Sequence, residues 1–242
     1  MSRLDPRLLL QGYATGIFPM ADSRDSPELF WVEPRSRAII PVDGFHLSRS
    51  LRRTLRSGRF SLSRDGDFAG VIAGCADREE TWINAEIEQA MLALHRSGHA
   101  HSVEVWHEGA LAGGVYGVRL GRAFFGESMF SRMTDASKVA LAALVARLKV
   151  GGFTLLDCQF MTSHLASLGA VAVSKQRYSE LLSAALGGGS AGAGAVAGGS
   201  RLGAAAGPAD FGALDRLLAA TGAEGESGPA GYVIAQLLGQ TS

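Results

Sequence analysis

Two carboxylates and an amide carry the first chemical signal. Glu127 lies in Gly126-Glu127-Ser128-Met129-Phe130-Ser131, and Asp157 and Gln159 bound the run Asp157-Cys158-Gln159. A carboxylate can take a proton from an attacking group or hold a cation, and a primary amide both donates and accepts. Asp157 is the candidate base, acting directly or through Gln159 and a water. Glu127 is flanked by Phe124-Phe125 and Met129-Phe130, where a charge needs a partner. That partner is either a bound cationic group or an internal pair with Lys138 or Arg132. Glu127 stands two residues before Met129, which on a strand puts both side chains on one face.

The elements between these residues must position them. Val139, Leu141, Leu144, Val145 and Leu148 recur at spacings of three and four, one face of a helix over 136–150. Thr134-Asp135 is expected to cap it and Gly151-Gly152 to stop it. Phe153–Gln159 then reads as a short buried strand. If it neighbours the strand carrying Glu127, both carboxylates face one cleft.

Upstream, Leu4–Leu10 is a short amphipathic start, with Phe30 and Trp31 as aromatic anchors before Pro34. Arg37–Val42 is an apolar strand, and Ser48 caps a helix over Ser50–Ser57. Phe60–Arg64 is a strand, and Asp67–Ala76 and Asn84–Ser97 are helices. Ser102–Trp106, Leu111–Arg119 and Arg122–Met129 are separated by tight turns and pair as an antiparallel meander. A last helix lies around Ser163–Ser167. The order predicts an α+β fold with a mixed, largely antiparallel sheet and flanking helices. Three segments follow: a small N-terminal unit (1–34), a central domain (35–186), and a Gly/Ala-rich flexible tail (187–242) whose end is weakly docked. Within the tail, Phe211–Ala220 is a short helix and Tyr232–Leu238 an apolar segment.

Of 242 residues, 47% are hydrophobic, enough for a sizeable core. No apolar run approaches the roughly 18 residues of a membrane helix, so the expectation is a soluble cytoplasmic protein. Cys75 and Cys158 make neither a disulfide framework nor a four-ligand metal site. The formal net charge is zero, but its distribution is uneven. Arg35, Arg37, Arg49, Arg52, Arg53, Arg56, Arg59 and Arg64 stand against one acid, Asp43, in that stretch. Such a face binds phosphates, or is a solvated helix surface.

Rival chemistries are weaker. Cys158 with His164 six residues on would make a thiol nucleophile only if the two met. His99, His101, Glu104 and His107 are split by strand alternation and make a loose metal set. Gly113-Gly114-Val115-Tyr116-Gly117 opens no helix and is not a dinucleotide fingerprint. Ser131-Arg132-Met133-Thr134-Asp135 lacks the glycines of a pyrophosphate loop, which disfavours coenzyme A. No metal and no cofactor is expected.

The chain resembles the leucyl/phenylalanyl-tRNA–protein transferase family from about Leu9 to Leu186. The resemblance rests on Gly16-Ile17-Phe18-Pro19, Phe45-His46-Leu47-Ser48-Arg49-Ser50, Gly74-Cys75-Ala76, Thr81-Trp82-Ile83 and His99–Trp106. It continues through Gly113–Gly117, the Glu127 and Asp157 runs, and Ser167-Leu168-Gly169-Ala170. It implies an N-acetyltransferase-like catalytic domain that moves leucine or phenylalanine, with methionine a further donor, from aminoacyl-tRNA to an N-terminal Arg or Lys of acceptor proteins, marking them for degradation. Asp157, Gln159 and Glu127 would be catalytic, and the enzyme a monomer. The donor side chain would meet Val115, Phe124, Ser128, Met129, Leu141, Leu144, Leu148 and Leu156, which by pattern alone are core. The terminal adenosine would meet Trp82, Met20 and Met91; Met20 and Met91 stand where some relatives have Trp and Tyr. Arg49, Arg52, Arg53 and Arg56 would hold tRNA phosphates. The alternatives are a related aminoacyl- or acyltransferase with a small-molecule acceptor, and a non-enzymatic RNA-binding module.

Overall fold

The structure, a computed structural model, describes residues 4–187, 208–222 and 229–239. The Gly/Ala/Ser-rich stretch expected to be flexible falls almost wholly outside them. In chain order, α1 (Pro6–Thr15) leads into a hairpin of β1 (Phe18–Met20) and β2 (Phe30–Val32), then β3 (Ser36–Ile40), α2 (Arg49–Arg56) and β4 (Ser61–Arg64). Helices α3 (Phe68–Ala76) and α4 (Ala85–Arg96) precede β5 (Ala100–His107), β6 (Ala110–Leu120) and β7 (Ala123–Ser131). Then come α5 (Ala136–Val150), β8 (Leu155–Asp157), α6 (Ser163–Ser167), β9 (Val171–Ser174) and α7 (Lys175–Ala185). Helices α8 (Ala213–Ala220) and α9 (Pro229–Gly239) close the described chain.

One seven-stranded sheet runs β4-β5-β6-β7-β8-β3-β9. Every pairing in it is antiparallel except β7 with β8, which is parallel. The α+β reading with a largely antiparallel mixed sheet is correct. The parallel pair arises because α5 carries the chain from the end of β7 back to the start of β8, a crossover that a tight turn cannot make.

Strand alternation splits the core in two. Ile40, Val115, Phe124 and Leu156 pack on one face with α2, α5, α8 and α9. Ile39, Tyr116, Phe125 and Leu155 pack on the other with α1, α3 and α4. Leu9, Tyr13 and Phe18 from the N-terminal stretch belong to that second core. Phe30 and Trp31, expected as anchors, are 42% and 38% exposed. Trp31 nonetheless lies against Gly12, where a methyl would come within 2.5 Å of its ring.

Helix starts follow the sequence closely. Ser48, Asp67 and Asn84 each cap a helix by accepting a backbone N–H, as Ser/Asp/Asn at that position should. Helix α5 differs. Asp135 occupies the N-cap at φ +72° but makes no capping bond. Its carboxylate takes Lys138 at 3.0 Å, and the Ser131 hydroxyl accepts the Ser137 N–H at 3.2 Å instead.

The chain's end docks more firmly than its composition indicates. Phe211, Leu214, Ile234 and Leu238 are at most 4% exposed and belong to the first core. The Phe211 ring stacks on Phe124 at 5.3 Å and on His101 at 4.4 Å. Arg147 donates to the Phe211 carbonyl at 2.8 Å and to both oxygens of Asp215. The preceding stretch, 187–207, is mostly Gly and Ala, which hides the few large apolar anchors that follow it from a compositional reading.

Candidate active site

Strands β7 and β8 pair only at Ala123↔Leu155, Phe124↔Leu156 and Phe125↔Asp157, while β7 runs on to Ser131. Beyond Asp157 the chain turns toward β3. Cys158 N–H donates to the Ala38 carbonyl at 2.8 Å, and Ala38 N–H to the Gln159 carbonyl at 3.1 Å. Gln159 adopts a left-handed φ of +62°, sparsely populated for a side chain of this size. The strand is therefore shorter than Phe153–Gln159, and the gap where β7 and β8 part is where the candidate residues meet.

Asp157 is fully buried and its acceptor capacity is filled. Oδ1 accepts from Arg37 Nε (2.9 Å) and from the Gln159 backbone N–H (2.8 Å). Oδ2 accepts from Arg37 Nη2 (2.6 Å) and the Tyr178 hydroxyl (2.7 Å). Arg37 is 2% exposed, donates through Nη1 to the Gly16 carbonyl, and lies between the Phe18 and Tyr178 rings at 4.8 and 4.6 Å. Burial alone would lower the Arg37 pKa; the Asp157 bond and charge outweigh it and raise it. So Arg37 is not part of a surface basic face. An arginine opening an otherwise apolar strand was the available signal, since such a charge needs a buried partner.

Glu127 comes to the same place by a bulge. The β6–β7 register passes from Gly117↔Gly126 to Tyr116↔Ser128, leaving Glu127 as the extra residue. The bulge cancels one step of alternation. Met129 packs on the first core, while Phe130 and the neighbours of Glu127, Tyr13 and Tyr116, belong to the second. Glu127 and Met129 therefore do not share a face, contrary to the spacing argument.

Glu127 is 7% exposed, and its Oε1 accepts from Gln159 Nε2 at 2.9 Å. Its Oε2 has no hydrogen-bond partner among the described residues. Neither expected internal cation reaches it: Lys138 pairs with Asp135, and Arg132 donates to the Leu111 carbonyl and lies over the Phe130 ring. Burial raises the Glu127 pKa to about 7; Tyr13 and Gln159 oppose that rise, Asp157 adds to it and Arg37 opposes it. The Tyr13 hydroxyl is near enough to act electrostatically but completes no hydrogen bond of ordinary geometry.

The remaining candidates are spread around this gap. Val115, Phe124, Leu141, Leu144, Leu148 and Leu156 pack together in the first core, each at most 4% exposed, with Met129 half-buried at its edge. The Ser128 hydroxyl accepts from Arg78 Nη2 at 2.9 Å. Trp82 and Met20 are brought together by the Ala21 N–H bond to the Trp82 carbonyl (3.2 Å), and both rest half-buried on the second core. Met91 is fully buried on α4 and presents no surface to a base. Arg49, Arg52, Arg53 and Arg56 line one groove of about 400 Å³ on α2.

Among the described residues, those of the rival chemistries are engaged elsewhere or buried. Burial pushes the Cys158 thiol far up, away from thiolate. His101 bonds Asp65, His107 bonds the Arg59 carbonyl, and Glu104 accepts from the Ser63 and Ser102 hydroxyls.

Sequence reasoning missed Arg37, Tyr178, Tyr13 and Gly16 as site residues, along with β9 and α7. Val171-Ala172-Val173 and the Tyr178, Leu182, Ala185 spacing carried the signal for those two elements.

A buried acid whose pKa is raised to about 7, an amide in a strained conformation and a clamped guanidinium, all at a parting of two strands, form a site able to exchange a proton with a bound group. The family described as leucyl/phenylalanyl-tRNA protein transferase matches residues 39–183, and its N-terminal domain matches residues 2–35. The chain belongs to this family. Two similar proteins carry the name leucyl/phenylalanyl-tRNA–protein transferase. One, from Rhizorhabdus wittichii, is 57% identical over 249 residues, covering 100% of both chains. The other, from Ruegeria pomeroyi, is 62% identical over 185 residues, covering 76% of this chain and 88% of that one. Among solved structures, that of L-PGS from Bacillus licheniformis overlaps 64% of this chain and 53% of its own at 12% identity and a TM-score of 0.38, too slight a likeness to bear on function.

Proposed function

We propose that this protein transfers leucine or phenylalanine from aminoacyl-tRNA to the α-amino group of protein N-termini. Family membership supports the reaction, and one observation carries the assignment of roles: a buried carboxylate at the gap between β7 and β8, Glu127, whose Oε2 completes no hydrogen bond of ordinary geometry beside the Tyr13 hydroxyl. An incoming ammonium supplies both a donor and a positive charge.

The ester donor is already activated, so the enzyme must supply orientation and charge control. The acceptor's α-ammonium, with a pKa of about 7.7–8.0, gives its proton to Glu127. The freed nitrogen attacks the ester carbonyl carbon. The tetrahedral oxyanion collapses, the bond to the tRNA 3′-terminal oxygen breaks, and the surplus proton on the newly bonded nitrogen passes to that oxygen, leaving Glu127 to return the first proton to solvent. Gln159 orients Glu127 through its amide, and Asp157 holds Gln159 and Arg37 in place. This division moves the base from Asp157, whose oxygens are already engaged, to Glu127.

The donor side chain enters at the Met129 edge of the apolar cluster, beside Leu141 and Leu144. Trp82 with Met20 stacks the terminal adenosine, and the α2 arginines hold distant phosphates. Acceptors begin with Arg or Lys, the termini that the family resemblance implies. The enzyme works as a monomer in the cytoplasm; among the described residues no helix is long and apolar enough to cross a membrane. Radiolabelled Leu-tRNA offered with peptides beginning Arg, Lys, Ala and Asp tests the reading. Transfer to the first two is expected, and transfer to none would overturn it.

A further inference from the structure

A second cleft opens beside β7, past the point where β8 ends. It has a volume of about 300 Å³ and is lined by Gly74, Asp77, Arg78, Met129, Phe130, Ser131 and Arg132. Two guanidiniums face it. Arg78 Nη2 is fixed by the Ser128 hydroxyl (2.9 Å) and the Met129 carbonyl (2.7 Å). Arg132 is fixed by the Leu111 carbonyl (3.3 Å) and by lying over the Phe130 ring at 5.3 Å. Both are thus oriented by neutral acceptors. Neither takes part in the ion pairs of the described residues, and Asp77, the one carboxylate lining the cleft, pairs with neither. Two prepositioned, unneutralised forks call for an oxyanion with several acceptor oxygens.

The cleft adjoins the proposed donor site on two sides. Arg78 touches Ser128, the residue after Glu127. Arg78 and Trp82 lie on one loop between α3 and α4, four residues apart, a separation of at most about 14 Å along the chain. Arg78 is thus a guanidinium on the same loop as the proposed base platform. A cationic acceptor peptide is disfavoured here by the same two charges.

We propose that this cleft binds the phosphodiester joining the last two nucleotides of the donor's 3′ end, with Arg78 and Arg132 as its ligands. The assignment rests on the aminoacyl-tRNA reading above. The function of the cleft is to fix the terminal nucleotide's backbone so that its ester reaches Glu127, independently of the arginines on α2.

Binding of cytidylyl-adenosine, which carries one phosphodiester, is compared with binding of adenosine, which carries none, by titration calorimetry on the full chain. Wild type should prefer the dinucleotide. Arg132→Gln should lower dinucleotide affinity about 10-fold, the low end for a charge-assisted hydrogen bond, and Arg78→Gln should do the same. The affinity ratio between the two probes should fall toward one in the double variant. The absence of a dinucleotide preference in wild type, or equal losses for both probes in the variants, overturns the proposal. Arg132→Gln does not disturb Ser128, so it decides the matter if thermal unfolding shows that Arg78→Gln fails to fold. Since the readout is binding, an arginine-dependent preference in a protein that transfers no amino acid would sustain the cleft and sink the transfer reaction.

Discussion

Glu127→Gln removes a charge while keeping the Gln159 contact and the shape of the bulge. If Glu127 accepts the ammonium proton, the substitution should cost roughly 10–150-fold in kcat/KM toward Arg- and Lys-starting peptides, the worth of one charge-assisted hydrogen bond. The wild-type pH profile should rise near pH 7 as Glu127 ionises, and the variant should keep only the later rise of the α-amine at about 7.7–8.0. A variant with the full wild-type profile would move the base elsewhere. Stability adds an independent readout. An acid whose folded pKa lies above its unfolded one binds extra protons when folded, so stability falls as pH rises from about 4.5 to about 7. The charged form then costs on the order of 3 kcal/mol. Glu127→Gln should therefore be stabilising relative to wild type at pH 8 and near neutral at pH 4, measured by urea unfolding at both. Asp157→Asn should destabilise the fold. It strands Arg37 in the core, and breaking a buried pair costs about 3–5 kcal/mol. Thermal unfolding of Asp157→Asn close to wild type would remove the clamp.

At the scale of elements, the bulge in β7 and the docking of α8 and α9 can each be probed. Gly117 faces the bulge, and a methyl there would run into the Phe125 carbonyl and the Phe124 ring. Gly117→Ala should push β7 off register, lowering stability and displacing Glu127 together, which a paired measurement of Tm and peptide kcat/KM would show. Phe211 is the anchor of the C-terminal segment, with its ring against Phe124, His101 and Phe153. Phe211→Ala should cost about 3–5 kcal/mol in denaturant unfolding. Because the ring lies behind Phe124, activity per folded molecule should fall far less than stability. An unchanged midpoint would mean that the segment does not dock in solution. Helix α9 also reaches α2: Arg56 lies over the Tyr232 ring at 4.6 Å, and Gly231 packs against the Leu55 carbonyl. The arginine helix is thus braced by α9, which lies against Arg52 and Arg56 themselves.

For the whole molecule, zero net charge conceals a local basic groove, and function depends on the local value. Reversing Arg49 and Arg53, both exposed on α2, to Glu should weaken aminoacyl-tRNA binding and flatten its salt dependence, while a puromycin-like minimal donor is spared. Equal loss for both donors would return those arginines to a structural role. The same separation of local from global marks what was legible in the sequence. The helix over Ala136–Val150, the cap at Ser48, the helices begun near Asp67 and Asn84, and the β5–β6–β7 meander are set by neighbours within a few residues, so periodicity and capping chemistry determined them. Glu127, Asp157 and Gln159 stand out by type on apolar strands, and the family resemblance singled them out. What each side chain meets was not legible. The Arg37–Asp157 bond joins residues 120 apart in sequence, and only the β3–β8 pairing makes it. That bond closes Asp157 to outside groups, while a one-residue bulge turns Glu127 away from Met129. Local pattern specifies an element and its face up to the first irregularity; which distant charge is neutralised, and which is left waiting, follows from how the strands are brought side by side.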